Sequence, residues 1–227
     1  MTESLVITID GPAASGKSTV AQQLARKLNL AFLDTGAMYR AATLAALQAE
    51  ADLEDQAALE RIMDSQRFGF HAQESGLCVT LNGQDVSERI RDPHVTENVR
   101  HLANAPGIRA RLVKMQQAFA AQHAGIVTEG RDQGTVVFPN AALKIFLSAD
   151  PAERAKRRLA ELEAKGLRQS IDQLKKAVMK RDQGDRQREV GPLKPAPDAI
   201  HIDTTSMTLD EVVQAILCHA EDRIKGL

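Results

Sequence analysis

Two cysteines, one tyrosine and no tryptophan occur among the 227 residues, and aromatic residues make up only 3% of the chain. Cys78 and Cys218 stand far apart, with no C-x-x-C and no histidine spaced to complete a zinc site, so neither a disulfide framework nor a metal-thiolate centre has support. Two buried thiols in a reducing compartment are expected instead. No stretch approaches the roughly 18 unbroken apolar residues of a membrane span, and no basic segment precedes the short apolar run at the N-terminus. These absences lead to the expectation of a cytoplasmic protein with no membrane partner. Scarce aromatics also leave little on which unpaired bases could stack, which disfavours nucleic acid as a ligand.

What is present is sufficient for a core: 43% hydrophobic residues against 26% charged, with net charge −1, exclude disorder as the main state. At roughly 150 residues per domain the length allows one unit carrying insertions, and a monomer is expected. Charge is unevenly placed. Residues 151–190 hold 12 Lys/Arg and 7 Asp/Glu, a local excess that suits a phosphate-rich small molecule.

A β-branched run at 5–9 and short apolar runs at 31–33, 126–128, 143–147 and 199–202 read as strands, and helical periodicity follows or separates them. Ile108, Leu112, Met115 and Phe119 share one face after Pro106, and Thr208 with Glu211 forms a capping-box start for the last helix. Alternating strands and helices imply an α/β fold, a parallel sheet covered on both faces, with ligands at the carboxyl ends of its strands. Residues 66–104 break this pattern. Phe68, Phe70, Leu77, Val79, Leu81 and Val86 alternate with period two around Gly76 and Asn82-Gly83, which predicts a small antiparallel meander inserted between 1–65 and 105–227.

Gly11-Pro12-Ala13-Ala14-Ser15-Gly16-Lys17-Ser18 satisfies G-x-x-x-x-G-K-[ST] between a strand and a helix, the context that gives this motif meaning. Backbone N–H groups and the helix N-terminus would cradle phosphates, Lys17 would reach the outer ones, and the Ser18 hydroxyl would ligate Mg2+. Thr19 continues the loop. ATP and Mg2+ are the implied cofactors. The GTPase signature N-K-x-D is absent, as is the Asp-Glu pair of hydrolysing motors, so switches and motors are set aside.

The abundance of arginine implies a second phosphorylated ligand, because its planar fork suits phosphate. Arg154, Arg157 and Arg158 follow the helix start Asp150-Pro151 and share a face by spacing, as a lid or as a solvated face paired with Glu153 and Glu161. Arg181, Asp185 and Arg188 are spaced alike, although Gly184 weakens a continuous helix there. Arg131 and Asp132 follow the strand at 126–128, as ligand groups or as a local turn contact. Asp34 either caps the helix that follows it or stands near Mg2+.

Taken together, the phosphate loop, Leu33-Asp34-Thr35-Gly36-Ala37-Met38-Tyr39-Arg40, Gly130-Arg131-Asp132-Gln133-Gly134-Thr135 and Arg181-Asp182-x-x-Asp185-x-x-Arg188 resemble the bacterial cytidylate kinases, nucleoside monophosphate kinases of the P-loop class, over nearly the whole chain. The resemblance implies a five-stranded parallel sheet, a monophosphate-binding insert at 66–104 and a helical lid at about 151–190. It implies transfer of the γ-phosphoryl group of Mg-ATP to CMP or dCMP. By position it assigns base recognition to Arg109 and Asp132, acceptor-phosphate contacts to Thr35, Arg40, Arg131 and Arg188, and the sugar region to Arg181 and Asp185. Lys17, Arg131, Arg154, Arg158 and Arg188 are the implied catalytic groups. Arg157 is assigned to ATP, and Ser18 with Asp34 to the metal, the latter through water. Two positions depart from the family pattern: Arg100 replaces a small hydroxyl residue expected to touch the base, and Glu129 replaces Asp, keeping a charge role beneath the phosphates. The remaining readings are a P-loop kinase of another monophosphate, or an ATP-gated nucleic-acid-binding protein.

Overall fold

The fold was obtained as a computed structural model that describes residues 4–74, 76–164 and 166–224. Five parallel strands form the main sheet: β1 (Leu5–Asp10), β2 (Ala31–Asp34), β6 (Gly125–Gly130), β7 (Leu143–Ser148) and β8 (Ile200–Asp203), in the order β2-β6-β1-β7-β8. All five coincide with the short apolar runs of the sequence. A second sheet is antiparallel, β3 (Phe68–Gln73), β4 (Gly76–Leu81) and β5 (Gln84–Asp85), as the period-two alternation predicts.

Eight α-helices are described: α1 (Lys17–Leu28), α2 (Thr35–Gln48), α3 (Gln56–Ser65), α4 (Pro93–Asn104), α5 (Pro106–Ala121), α6 (Pro151–Glu163), α7 (Ile171–Arg186) and α8 (Leu209–Ile224). Their boundaries follow local chemistry. Pro occupies the first turn of α4, α5 and α6, where its missing N–H costs nothing. The Asp150 carboxylate accepts from Ala152 N at 2.7 Å, and Thr208 and Glu211 exchange the expected capping-box bonds. α7 runs through Gly184 without a break, so the penalty of a helical glycine is outweighed by the burial of Leu174, Val178, Asp182 and Asp185 on the face it packs.

Successive strand residues point to opposite faces and so build two apolar clusters. Ile7, Ile9, Val127 and Ile145 pack on α1 and α8. Val6, Leu33 and Ile126 pack on the other face, in one cluster with α2, α5 and the insert residues Val79, Leu81, Val86 and Ile90. The insert is therefore welded to α2 by shared burial. No described helix is long and apolar enough to cross a membrane.

Register sets the position of the site. Ile9 pairs with Glu129, Asp10 with Gly130, and Asp34 with Glu129, so the loops leaving β1, β2 and β6 emerge side by side at one edge of the sheet.

Candidate active site

A cavity of about 510 Å³ opens at that edge, between the phosphate loop, the start of α2, the turn after β6, and helices α4 and α7. Eight cations and four carboxylates line it, a composition suited to polyanions.

The loop between β1 and α1 is shaped by backbone requirements. A Cβ at Gly11 would collide with the Leu147 carbonyl, and Gly16 sits at φ 89° as it caps α1. Ala14 also adopts a left-handed conformation, φ 57°, the kind of backbone turn from which anion nests are built. Lys17 is buried, and its Nζ donates to Pro12 O at 2.6 Å and to the Ser15 hydroxyl at 3.3 Å. Burial, then the Arg131 guanidinium, brings its pKa down to about 7; an incoming polyphosphate would restore its charge.

The Ser18 hydroxyl donates to the Glu129 carboxylate at 2.7 Å, so that two hard oxygen ligands stand together beside Lys17. Asp34 is engaged elsewhere. One of its oxygens accepts from Ala37 N at 2.8 Å and so caps α2, while the other pairs with Arg40 at 3.1 Å and lies 4.0 Å from Arg91. Of the two readings of Asp34, the structure shows the helix cap, its oxygens serving Ala37 N and an arginine, and Glu129 is the carboxylate bonded to Ser18. No cluster of three or more metal-binding side chains occurs among the described residues, so a metal here would depend on Ser18, Glu129 and phosphate oxygens.

Across the cavity, Arg109 of α5 and Asp132 form a buried ion pair. The Arg109 guanidinium lies 5.8 Å from the centre of the Tyr39 ring, and its Nε has no partner. Burial raises the Asp132 pKa against the opposing effect of Arg109. Arg131 donates to Asp185 at 2.6 Å, and Arg188 pairs with the other oxygen of the same carboxylate. Burial disfavours the Asp185 anion, but these two guanidiniums prevail and hold its pKa below the usual range. Arg40 and Arg181 line the same space, and Arg40 Nε is a buried donor without a partner. Thr35 is a buried residue of the lining, its hydroxyl donating to Glu129 O at 2.7 Å.

The three arginines of α6 diverge despite their common spacing. Arg158 lines the cavity and pairs with Glu161 at 2.8 Å. Arg157 donates to Thr204 O at 2.6 Å, with Gly16 beside it. Arg154 is buried behind the phosphate loop, donating to Ala149 O and Ala13 O at 2.9 Å and pairing with Asp182 at 2.7 Å. The donors of Arg154 thus face the backbone of the loop and Asp182, not the cavity.

Arg100 likewise points away, its Nε reaching His101 on the outer side of α4. The α4 residues that line the cavity are Thr96, Val99 and Ala103, one helical stripe with a single hydroxyl. Arg91, which sequence reasoning does not single out, joins the lining from the turn before α4. Asp10 also escapes that reasoning. Its carboxylate accepts from Gln133 N at 2.9 Å and Gly134 N at 2.8 Å, fixing the π-helical turn that presents Arg131 and Asp132, while burial lifts its pKa to about 6. Its place directly before Gly11 is the only signal the sequence offers.

Known proteins match this chain along its length. A family profile described as "Cytidylate kinase" matches residues 7–222. The chain is 46% identical over 226 residues to the cytidylate kinase of Anoxybacillus flavithermus, covering 100% of both. It is 47% identical over 224 residues to that of Geobacillus sp. (strain WCH70), covering 99% of this chain and 100% of the relative. Among solved structures, a gluconokinase from Sinorhizobium meliloti 1021 aligns with a TM-score of 0.50 and 13% identity over 99% of this chain and 98% of that one, a likeness of fold alone. The profile match and the end-to-end relatives agree with the geometry of the cavity: this chain belongs to the cytidylate kinase family.

Proposed function

We propose that the chain transfers the γ-phosphoryl group of ATP to the phosphate of CMP or dCMP, giving ADP and CDP or dCDP. The observation that supports this most is the single cavity with a phosphate loop on one wall and the buried Arg109–Asp132 pair on the other. Cytosine presents ring acceptors beside an N4 amino donor, which complement a guanidinium and a carboxylate respectively. Uracil would set O4 against the Asp132 carboxylate, acceptor against acceptor.

The attacking oxygen belongs to a phosphate that is already anionic, so alignment and charge neutralisation carry the reaction and no strong base is needed. Thr35, Arg40, Arg131 and Arg188 hold the acceptor phosphate, and Arg181 and Asp185 the sugar region. The nest from Gly11 to Thr19 holds ATP, with Lys17 at its outer phosphates and Arg158 over them from α6. Ser18 and Glu129 fit Mg2+, as hard oxygen donors, and the ion supplies neutralisation of phosphate charge when bound. Residues 66–104 serve as the monophosphate-binding insert, contributing Arg91, Thr96, Val99 and Ala103, and α6 with α7 forms the lid that excludes water from the transfer. The cytoplasm is the proposed compartment, with the chain acting as a monomer.

A nucleic-acid-binding role is not favoured, because Arg154 is buried and Arg158, Arg181 and Arg188 line the cavity. The test is ADP release with Mg-ATP and CMP, dCMP, UMP, AMP or GMP, with products identified by mass. Strong CDP and dCDP formation is expected. Preference for another monophosphate would overturn the base assignment, and absence of transfer would overturn the enzyme reading.

A further inference from the structure

Behind the cavity, one residue of the phosphate loop is held from two helices at once, through both of its backbone polar groups. Arg154 of α6 and Asp182 of α7 are 3% and 4% exposed and pair at 2.7 Å. Both also bind Ala13: its carbonyl accepts from Arg154 at 2.9 Å, and its N–H donates to Asp182 at 3.1 Å. Arg154 Nε is anchored in turn on Ala149 O, just beyond β7. An unpaired buried charge is costly, so neither side chain can leave this arrangement alone.

Two further features tie this clasp to the site. Ala14, the next residue, is held at φ 57°, a conformation that a residue with a Cβ adopts only under constraint. Asp182 lies one helical turn before Asp185, the carboxylate that gathers Arg131 and Arg188 in the acceptor half of the cavity. A single continuous helix thus carries the rear support of the ATP loop and the organiser of the acceptor arginines.

The geometry points to Arg154 and Asp182 as positioning residues that couple the two halves of the site, so that filling the phosphate loop sets α7, through the Ala13 peptide, in the orientation in which Arg181 and Asp185 receive the acceptor. This rests on the acceptor reading given above. The coupling is a thermodynamic quantity and is reciprocal: whatever factor ATP lends to acceptor binding, the acceptor lends to ATP binding.

The test is calorimetric titration of the full-length enzyme with CMP, with and without a Mg-bound non-hydrolysable ATP analogue, with kcat and both KM values measured alongside. The wild-type chain is expected to bind CMP at least about fivefold more tightly with the analogue present. Asp182→Asn keeps the side-chain shape and the bond from Ala13 N but removes the charge facing Arg154. It should bring that factor to within about twofold of unity while CMP affinity without the analogue changes by less than about threefold. Arg154→Lys keeps the charge but loses the fork, and should do the same; the double variant should be no worse than either single one, since the two act as a unit.

A wild-type factor near unity would overturn the proposal, as would a factor retained in the folded variants. Equal loss of CMP affinity with and without the analogue would also overturn it, since that is the signature of a purely structural pair. Failure of the acceptor reading has a separate signature, in which the wild-type chain binds the analogue yet forms no CDP from CMP.

Discussion

Replacing Arg109 by Met separates two effects that the same guanidinium combines. Arg109 is 3% exposed and its partner is the equally hidden Asp132. Removing one member of a buried pair leaves an uncompensated charge and costs about 3–5 kcal/mol of stability, a large fraction of the roughly 5–15 kcal/mol typical of a domain. Burial already raises the Asp132 pKa in the intact protein, with Arg109 opposing the rise. In Arg109→Met that opposition is gone and the pKa climbs further. A carboxyl whose folded pKa exceeds its unfolded value favours folding fully below the unfolded value and loses that contribution as pH rises through the folded one. The stability deficit should therefore be large at pH 8 and shrink towards pH 5, and Asp132→Asn in the same chain should remove most of it.

Recognition should behave differently. Hydrogen bonds from a charged group are worth about 1.5–3 kcal/mol each, so losing two to the cytosine edge lowers kcat/KM for CMP by roughly 10²- to 10⁴-fold. The KM for ATP should stay within about threefold of wild type, and the Asp132→Asn background should not rescue CMP use. The assay is initial-rate ADP formation with each substrate varied in turn, below the melting transition followed by circular dichroism at both pH values. Equal rises in the two KM values would refute the base-reading role, and a pH-independent stability deficit would refute the buried-charge argument.

Lys17→Ala should slow phosphoryl transfer by at least about 10²-fold while the fold survives; near-normal turnover in a folded variant would remove the phosphate-loop assignment. With the Lys17 pKa held down to about 7 by burial and Arg131, binding Mg-ATP at pH 8 should draw in a proton, seen as a calorimetric enthalpy that changes with the ionisation heat of the buffer and lost in Lys17→Ala. A buffer-independent enthalpy would contradict this. Glu129→Gln should raise the Mg2+ concentration for half-maximal rate by about tenfold or more, whereas an unchanged requirement would clear Glu129 of a metal role.

Features of the site that depend on neighbours in sequence were legible without the fold. Leu5 to Ser18 is a strand, a glycine-bearing turn and a helix start in consecutive residues, and Arg181 and Asp185 need only α7 to bring them together, with Arg188 two residues past its end. Other features were not legible. Ser18 meets a carboxylate 111 positions away, and only strand order decides that this is Glu129, with Asp34 turned to its own helix cap and to Arg40. Periodicity placed Arg154, Arg157 and Arg158 on one face. It carries no information about what lies against that face, and three different environments received the three side chains. Arg100 escaped in the same way, by the rotation of α4 that turns Thr96 and Val99 to the cavity.

By itself, then, the order of residues determined the class of chemistry. A phosphate nest and a surplus of arginine are specified by residue type and local spacing, because anion binding requires particular donors and backbone angles within a few residues. Tertiary structure decided which groups perform each task. Register across β1, β2 and β6 chose the carboxylate beside Ser18, and the packing of α6 and α7 placed Arg154 and Asp182 together behind the loop. Those choices depend on contacts between segments far apart in the chain, where burial and pairing of charge, not spacing, set the outcome.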